Sequence, residues 1–374
     1  MATTMNKRIN LMKPWVGDEE LKAVKAVLES GYLTDGPVTR EFESKFKDYV
    51  GARYAVATTS CATALDLAMR TLDIGPGDEV IVPDFTHPAT ADAVAMVGAT
   101  PILVDVDKKS YNIDFKIADE AINDKTKCII PVSLFGNPVN PADIKRIKSN
   151  HDVFIVEDAA CSTGAMFNGV KTGTMSDITC FSFHPRKVIT TGEGGMFVTD
   201  NEGWYNKAKA IKHFGGEMIT GKNRFLFNHI GTNYKLSNIL AAIGVEQLKK
   251  IDAIISKRVE KAEYYRKILQ GNGLLTPPFV KDGIRHTYQS FACLVNHGTN
   301  RDSLIAGLRE DNIEAQIATY CLHLEPFFRD SAKQYGSLET AEDLFHRAIV
   351  LPMHNFLSDE EQEYVVEKIK SRLQ

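Results

Sequence analysis

The 374-residue sequence lacks several features that would assign it to particular protein classes. It has no run of about 18 consecutive apolar residues, the length that a membrane-spanning helix needs, and its N-terminus lacks the apolar core of a signal peptide. The 44 lysines and arginines are outnumbered by 48 aspartates and glutamates, and the net charge of −4 disfavours nucleic-acid binding through a basic surface. We therefore expect a cytoplasmic protein that binds neither nucleic acid nor a membrane.

Clustered cysteines and common nucleotide-binding motifs are also missing. The six cysteines include no CxxC pair, which excludes zinc ribbons and iron–sulfur spacings and predicts reduced thiols without a metal site. No Walker sequence or dinucleotide fingerprint is present, so ATP and NAD sites of those types are disfavoured. The cysteines are Cys61, Cys128, Cys161, Cys180, Cys293 and Cys321.

Short apolar runs alternate with amphipathic stretches in the first half of the chain. Seven runs rich in Val and Ile are too short for helices and predict strands. Because they are apolar on both faces and are mostly separated by helical stretches, they predict a mostly parallel sheet covered on both sides. The runs are RYAVAT, DEVIVP, TPILVDVD, KCIIPVSLF, DVFIVED, ITCFSF and GMFVTD.

Helical periodicity surrounds this predicted sheet. Two amphipathic helices precede it, and a long helical tract is predicted at roughly 237–269. One strand in YQSFACLVNH follows, with helices near 301–311 and 358–372. We therefore predict an α/β fold in which a large domain with N-terminal helices covers 1–235, and a linking helix with a smaller α+β domain covers 236–374.

Residues that follow the predicted strands are the candidates for a site, because open parallel sheets bind ligands beyond the carboxyl ends of their strands. Lys187 follows ITCFSFH and precedes a glycine cluster, which fits either a cofactor-binding amine or a solvated loop lysine. Asp158 ends a buried strand, and a buried carboxylate needs a partner. That partner is either a protonated pyridine nitrogen or the cation of a salt bridge.

A turn from strand to helix supplies a third candidate. Residues 59–63 direct backbone N–H groups and the positive helix end towards an anion, or they form an ordinary helix cap. Ser182 adds a hydroxyl near Lys187. An amine, a buried carboxylate, an anion-binding helix end and a nearby hydroxyl are what pyridoxal 5′-phosphate requires for its aldehyde, ring nitrogen and phosphate. Their combination predicts this cofactor.

The sequence resembles, along nearly its whole length, the pyridoxal-phosphate-dependent sugar aminotransferases of the DegT/DnrJ/EryC1/StrS family. The FSFH-x-x-K-x-x-TTGEGG stretch and VEDAA are its most specific matches. This resemblance implies the aspartate-aminotransferase-like (type I) fold, with a mostly parallel sheet domain and a smaller C-terminal α+β domain. The other matching stretches are SGYLTDGPVTREFESKF, DIGPGDEVIVPDFTHPATADAV and GTNYKLSNILAAIGVEQL.

The resemblance also implies roles for individual residues. Lys187 corresponds to the lysine that forms an imine with the cofactor, Asp158 to the partner of the pyridine nitrogen, and Ser182 to a phosphate ligand. His87 lies where family members stack an aromatic side chain on the cofactor ring. Asn233 lies where the family's asparagine reaches the phosphate of the neighbouring subunit's cofactor, so the resemblance implies a homodimer with its active site at the interface.

The chain departs from the family pattern around the cofactor. Cys61 and Ala62 stand where the family commonly has Gly-Thr, so the phosphate must rely on their backbone N–H groups and on the Thr63 hydroxyl. Cys161 replaces the usual Gln or His three residues after the aspartate, which removes a polar contact near the hydroxyl side of the cofactor.

Departures also occur among the residues assigned to the substrate, which are His184, Tyr320, His323 and Lys235. Lys235 replaces the more usual arginine, which keeps the charge and loses the bidentate fork. Cys321 replaces the proline that usually precedes Leu-His, so the loop carrying Tyr320 and His323 is expected to differ in shape.

The resemblance implies that glutamate donates an amino group, through pyridoxamine phosphate, to a nucleotide-linked keto-6-deoxy sugar, with amination at C-4 preferred over C-3. Such enzymes serve deoxyamino sugar and polysaccharide biosynthesis. A family member with a different acceptor, such as one that aminates a cyclitol or one that forms aminohydroxybenzoate, remains an alternative. A pyridoxamine-dependent sugar dehydratase would carry histidine in place of Lys187. A non-catalytic cofactor-binding regulator would have no reason to keep Lys187, Asp158, Ser182 and Asn233 together.

Overall fold

The computed structural model describes residues 8–218, 221, 224–271 and 273–373. None of the helices in these ranges is long and apolar enough to cross a bilayer. The α-helices of the described residues are α1 Asp18–Ser30, α2 Pro37–Val50, α3 Cys61–Thr71, α4 Ala89–Met96, α5 Phe115–Ala121, α6 Pro141–Asn150, α7 Glu202–Lys212, α8 Asn238–Lys249, α9 Ile251–Leu269, α10 Arg301–Glu310, α11 Pro326–Ser331, α12 Glu339–Arg347 and α13 Asp359–Leu373.

The strands of the same residues form one large sheet, one smaller sheet and several short ladders. They are β1 Tyr54–Thr58, β2 Glu79–Pro83, β3 Phe85–Thr86, β4 Thr100–Val104, β5 Thr126–Ile129, β6 Phe154–Asp158, β7 Met166–Phe167, β8 Val170–Lys171, β9 Ile178–Ser182, β10 Gly195–Thr199, β11 Gly216–Met218, β12 Phe225–Phe227, β13 Leu275–Thr276, β14 Ile284–Arg285, β15 Phe291–Val295, β16 Gln316–Ile317, β17 Tyr320–Cys321, β18 Lys333–Gln334 and β19 Ala348–Leu351.

The large sheet has the strand order β1-β10-β9-β6-β5-β2-β4-β18. Its pairs from β9 through to β18 are parallel, and β10 runs antiparallel to both β9 and β1. Each of the seven predicted runs contributes a strand to it. The prediction of a mostly parallel sheet is therefore confirmed.

Helices cover both faces of this sheet, as the doubly apolar strands require. Val80 and Val82 of β2 pack among residues of α3, α4 and α7, whereas Ile81 packs among residues of α5 and α6. The alternation of side chains along a strand explains why one short run of valine and isoleucine serves two cores.

One predicted strand is shorter than its apolar run. In KCIIPVSLF the strand ends at Ile129, and the rest of the run forms a loop that enters a short 3₁₀ turn at Leu134–Gly136. Pro131 has no N–H to donate to a ladder, which accounts for the early end of the strand. Phe135 has a left-handed backbone conformation with φ of 58°.

The predicted helical tract at 237–269 is two helices rather than one. Lys250 separates α8 from α9 with φ of −111° and ψ of 6°, values outside the helical range. The Lys250 ammonium group lies 2.6 Å from the carboxylate of Glu20 on α1. The first helix packs with α1, α2 and the large sheet, and Ile251, Ile254 and Ile255 at the start of the second helix belong to the same core. The rest of the second helix packs with the small sheet, so the chain passes from one core to the other within α9.

The smaller sheet has the order β13-β15-β19-β16 and is covered by α9, α10 and α13. The chain crosses between the two sheets more than once, since Ile9 forms a bridge with Ile313 beside the small sheet and β18 adds to the edge of the large one. The domain boundary at residues 235 and 236 stays a prediction. A short ladder between β3 and β17 joins the large sheet's loops to the C-terminal part.

Candidate active site

A cavity of about 380 Å³ lies at the carboxyl ends of strands in the large sheet. Asp158 ends β6 and Ser182 ends β9, and both line this cavity together with residues that follow β1. On its other side the wall comes from the C-terminal part of the chain, including β16 and β19. The cavity is therefore enclosed by both sheets.

Asp158 is buried, and no cationic side chain lies within salt-bridge distance of it in the part of the chain described above. Its Oδ2 accepts a hydrogen bond of 2.8 Å from the hydroxyl of Thr90 on α4, and its Oδ1 accepts one of 3.1 Å from the N–H of Ala160. The Cys61 thiol lies 3.9 Å from Oδ1. Of the two partners that the sequence left open, the salt bridge to a protein cation is not made. The carboxylate is available to a cationic ligand group.

Lys187 lies in the turn that leads from β9 back to β10. Its N–H donates to the carbonyl of His184, and the turn is closed where the N–H of Phe183 donates to the carbonyl of Gly194. The amine of Lys187 lines the cavity and donates to the Cys161 sulfur at 3.3 Å. Burial alone would lower the pKa of this amine, but Cys161 and the nearby Asp158 favour its charged form and leave the pKa raised.

The N-terminus of α3 meets the same cavity. The hydroxyl of Ser60 caps the helix by accepting from the N–H of Thr63, and the Thr63 hydroxyl in turn accepts from the N–H of Ser60. Thr63 is thus engaged in the helix cap and is absent from the cavity wall, whereas Cys61 and Ala62 line it. Their N–H groups belong to the first turn, where a helix offers no internal acceptor.

A glycine allows the β10 strand to pass close to this helix end. Gly195 pairs with both Thr58 of β1 and Ser182 of β9, and a Cβ built on it would lie against the backbone of Ser60 and 2.6 Å from the nitrogen of Cys61. The side chain of Ser182 lies near, with its Oγ 3.4 Å from the N–H of His184. The arrangement concentrates N–H and hydroxyl donors at one end of the cavity, as an anion requires.

His87 and Tyr320 stand together in the cavity wall because β3 and β17 pair Thr86 with Tyr320. Their rings are 6.1 Å apart at an interplanar angle of 82°. Burial, followed by the charge of Lys187, lowers the pKa of His87 and favours a neutral imidazole. His184 also lines the cavity, and burial likewise lowers its pKa.

His323 lies outside the cavity wall, in a cluster with Asp84 and Cys321. Asp84 Oδ2 accepts from the His323 ring at 2.6 Å and from the Cys321 thiol at 3.0 Å, and its Oδ1 accepts from the His323 N–H at 2.8 Å. Within the described residues this is the one group of three His, Cys or acidic side chains placed to hold a metal ion. Hydrogen bonds among its own members account for the arrangement, and they anchor the loop that carries Tyr320.

Asn233 and Lys235 also lie outside the cavity wall of their own chain. Asn233 is exposed and accepts a hydrogen bond of 3.3 Å from the N–H of Lys235. The ammonium group of Lys235 lies over the ring of Phe214, 4.5 Å from its centre. Burial lowers the pKa of Lys235, an effect that nearby Lys212 reinforces. This segment runs beside the end of β1, where the N–H of Thr59 donates to the carbonyl of residue 234.

The structure adds residues for which the sequence predicts no role. Thr90 orients Asp158, and Arg186 lines the cavity next to Lys187. Gln289 and Gln316 reach the same cavity from the C-terminal part. Arg186 could have been noticed as a cation beside the candidate lysine, but nothing local marks the two glutamines, because their place depends on packing between distant segments.

Pyridoxal phosphate fits this set of residues. A buried carboxylate without a protein cation matches a pyridinium nitrogen, and the amine of Lys187 shares its cavity. The N–H groups of Cys61 and Ala62, with the Ser182 hydroxyl, would hold the phosphate. His87 would face the ring from the wall.

Comparisons with known proteins identify the family. The model of the DegT/DnrJ/EryC1/StrS aminotransferase family matches residues 14–370. The chain is 34% identical to the GDP-perosamine synthase of Escherichia coli O157:H7 over 364 residues, which cover 97% of this chain and 98% of the relative.

Solved structures with a similar fold include that of Helicobacter pylori PseC, an aminotransferase involved in the biosynthesis of pseudoaminic acid. It is 27% identical, with a TM-score of 0.93, and the match covers 98% of this chain and 99% of PseC. Spr1654 of Streptococcus pneumoniae in its PLP form is 27% identical, with a TM-score of 0.92 and 98% of each chain covered. The predicted fold and the predicted cofactor are confirmed.

Proposed function

We propose a specific amino transfer for this chain, which belongs to the DegT/DnrJ/EryC1/StrS aminotransferase family and is a PLP-dependent sugar aminotransferase. Glutamate is the proposed donor and a nucleotide-linked keto-6-deoxy sugar the proposed acceptor, with amination at C-4 favoured over C-3. The similarity to GDP-perosamine synthase supports a nucleotide-linked sugar as the acceptor.

The observation that carries this proposal is the pair formed by Asp158 and Lys187 in one cavity. Neither side chain has an oppositely charged protein group within salt-bridge distance in the described residues, although Asp158 is buried. Structural ion pairing therefore explains neither residue. A ligand with a cationic ring nitrogen and an aldehyde explains both.

When bound, pyridoxal phosphate supplies an aldehyde that carries the amino group and a ring that accepts electrons. Asp158, held by Thr90 and the N–H of Ala160, would pair with the ring nitrogen. The Nζ of Lys187 is placed to take the proton from the α-carbon of the donor and to return a proton to the sugar carbon. The first turn of α3 holds the phosphate in place.

We also propose a homodimer in which Asn233 completes the neighbour's site. The surface next to Asn233 is unusually apolar. Five large hydrophobic side chains in and beside the β11–β12 hairpin are between 42% and 88% exposed. A second copy of this chain would cover them. These residues are Phe214, Met218, Leu226, Phe227 and Ile230.

The substrate proposal is tested by a panel of GDP-, UDP- and dTDP-linked 4-keto and 3-keto sugars, each incubated with glutamate and the loaded enzyme. Mass spectrometry should detect an aminated sugar together with 2-oxoglutarate, and product analysis should place the nitrogen at C-4. Amination at C-3, or of a cyclitol in place of every nucleotide sugar, would contradict the proposed acceptor.

The Schiff-base assignment is tested by Lys187→Ala. Transamination should be abolished while the fold remains, because the amine contacts the cavity and not a hydrophobic core. Borohydride reduction of the cofactor-loaded native protein, followed by peptide mapping, should find the pyridoxyl label on the peptide that contains Lys187. A label on a different lysine would overturn the assignment.

A further inference from the structure

Arg186 is an exposed residue with a fixed backbone, and it lines the active-site cavity. Its N–H donates to His184 Nδ1 at 3.2 Å, and its carbonyl accepts a hydrogen bond of 2.8 Å from the side-chain amide of Gln289. Its Nη1 donates to the side-chain oxygen of Gln316 on β16 at 3.2 Å. The side chain is therefore steadied by a neutral amide that leaves most of its donors free.

No carboxylate lies within 4.0 Å of this guanidinium in the described stretches of the chain. The charged groups that share its cavity are Lys187, Asp158 and Glu193. The first two are assigned to the cofactor, and Glu193 is mostly exposed, with the ring of His184 at 4.0 Å. Arg186 is thus the permanently charged cation that remains for a substrate.

A guanidinium suits a carboxylate because its parallel N–H donors match the two oxygens. We propose that Arg186 binds the α-carboxylate of the amino donor, an inference that rests on the proposed use of an amino acid as donor. Arg186 and Lys187 are neighbours whose Cα atoms are about 3.8 Å apart, and both reach one cavity. The α-carboxylate is one bond from the carbon at which Lys187 acts.

The diphosphate of a nucleotide sugar and the side-chain carboxylate of glutamate are the other substrate anions. A hexose ring separates the diphosphate from the keto carbon, and two methylene groups separate the side-chain carboxylate from the α-carbon, so a group adjacent to Lys187 is better placed for the α-carboxylate. The diphosphate and the donor carboxylates belong to different half reactions, which can be measured separately. Arg186 is therefore assigned to the donor half reaction.

The test compares Arg186→Gln and Arg186→Lys with wild type and with Arg329→Gln. Arg329 is an exposed arginine outside the cavity, and its carboxylate contact is with the adjacent residue Asp330 at 3.5 Å. Each loaded protein is mixed with L-glutamate, and the absorbance change of the cofactor is followed in a single turnover. The pyridoxamine-phosphate form of each protein is then mixed with the keto sugar. Binding of glutarate, a dicarboxylate without an amine, is measured by calorimetry.

Arg186→Gln should lower kcat/KM for glutamate by roughly 10- to 100-fold and weaken glutarate binding to a similar degree, since a charge-assisted contact is lost. Arg186→Lys should recover part of this loss, because the charge remains without the fork. The sugar half reaction and the Arg329→Gln control should stay within about threefold of wild type, the scatter expected of a surface substitution.

Equal losses in both half reactions, or a loss confined to the sugar, would overturn the inference. Wild type that fails with glutamate but reacts with another amino acid would contradict only the proposed donor, and the variants would then be compared with that amino acid. Wild type that accepts no amino acid as donor would overturn the Arg186 inference as well.

Discussion

At the scale of single residues, Asp158 shows how a strand end becomes a site. The apolar residues before it bury the strand, and the carboxylate at its end contacts Thr90, Ala160 and Cys61 instead of forming a salt bridge. Burying a carboxylate costs free energy unless it is hydrogen-bonded and paired with a cation. Because no protein cation pairs with Asp158 in the described residues, a bound ligand would supply that partner. Its charge is therefore informative about the ligand.

Replacing this charge should separate its electrostatic role from its packing role. Asp158→Asn keeps the shape, and we expect weaker cofactor binding and a turnover lower by roughly 100- to 1000-fold, because a preorganised charge is removed. Thr90→Val keeps the charge and loses one hydrogen bond, so a loss of roughly tenfold is expected. Spectroscopic titration with pyridoxal phosphate and steady-state turnover measure both effects. Near-wild-type turnover of Asp158→Asn would make it an ordinary structural carboxylate.

The identity of such residues could be predicted from the sequence, but their partners could not. Lys187, Asp158 and Ser182 follow apolar runs whose ends are visible in the sequence. By contrast, Thr90 lies 68 residues from the carboxylate that it orients, and Arg186 lies 130 residues from Gln316. These pairs depend on how separate elements pack. The role of Thr63 at the phosphate stays a prediction, because the sequence does not distinguish the use of its hydroxyl in the helix cap from ligand binding.

At the scale of secondary structure, strands were predicted more reliably than the limits of helices. A strand buried on both faces has a composition that few other elements share. The tract at 237–269 keeps an apolar stripe through Lys250, so nothing in its periodicity reveals the break that the structure shows. Nor does the break mark the change of core, since α9 begins in the core of the large sheet and ends in that of the small one.

The close approach of β10 to α3 supports a prediction at this scale. Gly195→Ala would place a methyl group against the first turn of α3, where Ser60 and Cys61 present their backbone. We expect pyridoxal phosphate to bind roughly tenfold more weakly, since overpacking must shift the helix end that holds the phosphate. Gly203→Ala in α7 is the matched control, because its Cβ would meet only the side-chain oxygen of Asn201 at 3.2 Å, and that residue caps α7 and lies outside the cavity wall. Equal cofactor affinity in the two variants would contradict this role for the helix end.

At the scale of the whole molecule, part of the predicted site lies outside the cavity of its own chain. The cavity is lined by both sheets of one chain, yet Asn233 and Lys235 lie outside it on an exposed segment. The neighbouring hairpin carries the apolar surface described above. A second copy that covers this surface would bring the segment to another chain's cofactor. The sequence alone could suggest this only through resemblance, because no local pattern reports a contact between chains.

Complementation between inactive variants tests this shared site. If Asn233 donates to the phosphate of the neighbour's cofactor, co-expression of Lys187→Ala with an inactive Asn233→Ala variant should restore activity. In the heterodimer, one of the two sites would then receive both an intact Lys187 and an intact Asn233. Co-expression is preferable to mixing, because a large interface slows subunit exchange. Two affinity tags would isolate the heterodimer, and each variant expressed with itself is the control. Heterodimers that form but show no recovered turnover would place Asn233 in its own subunit's site or outside any site.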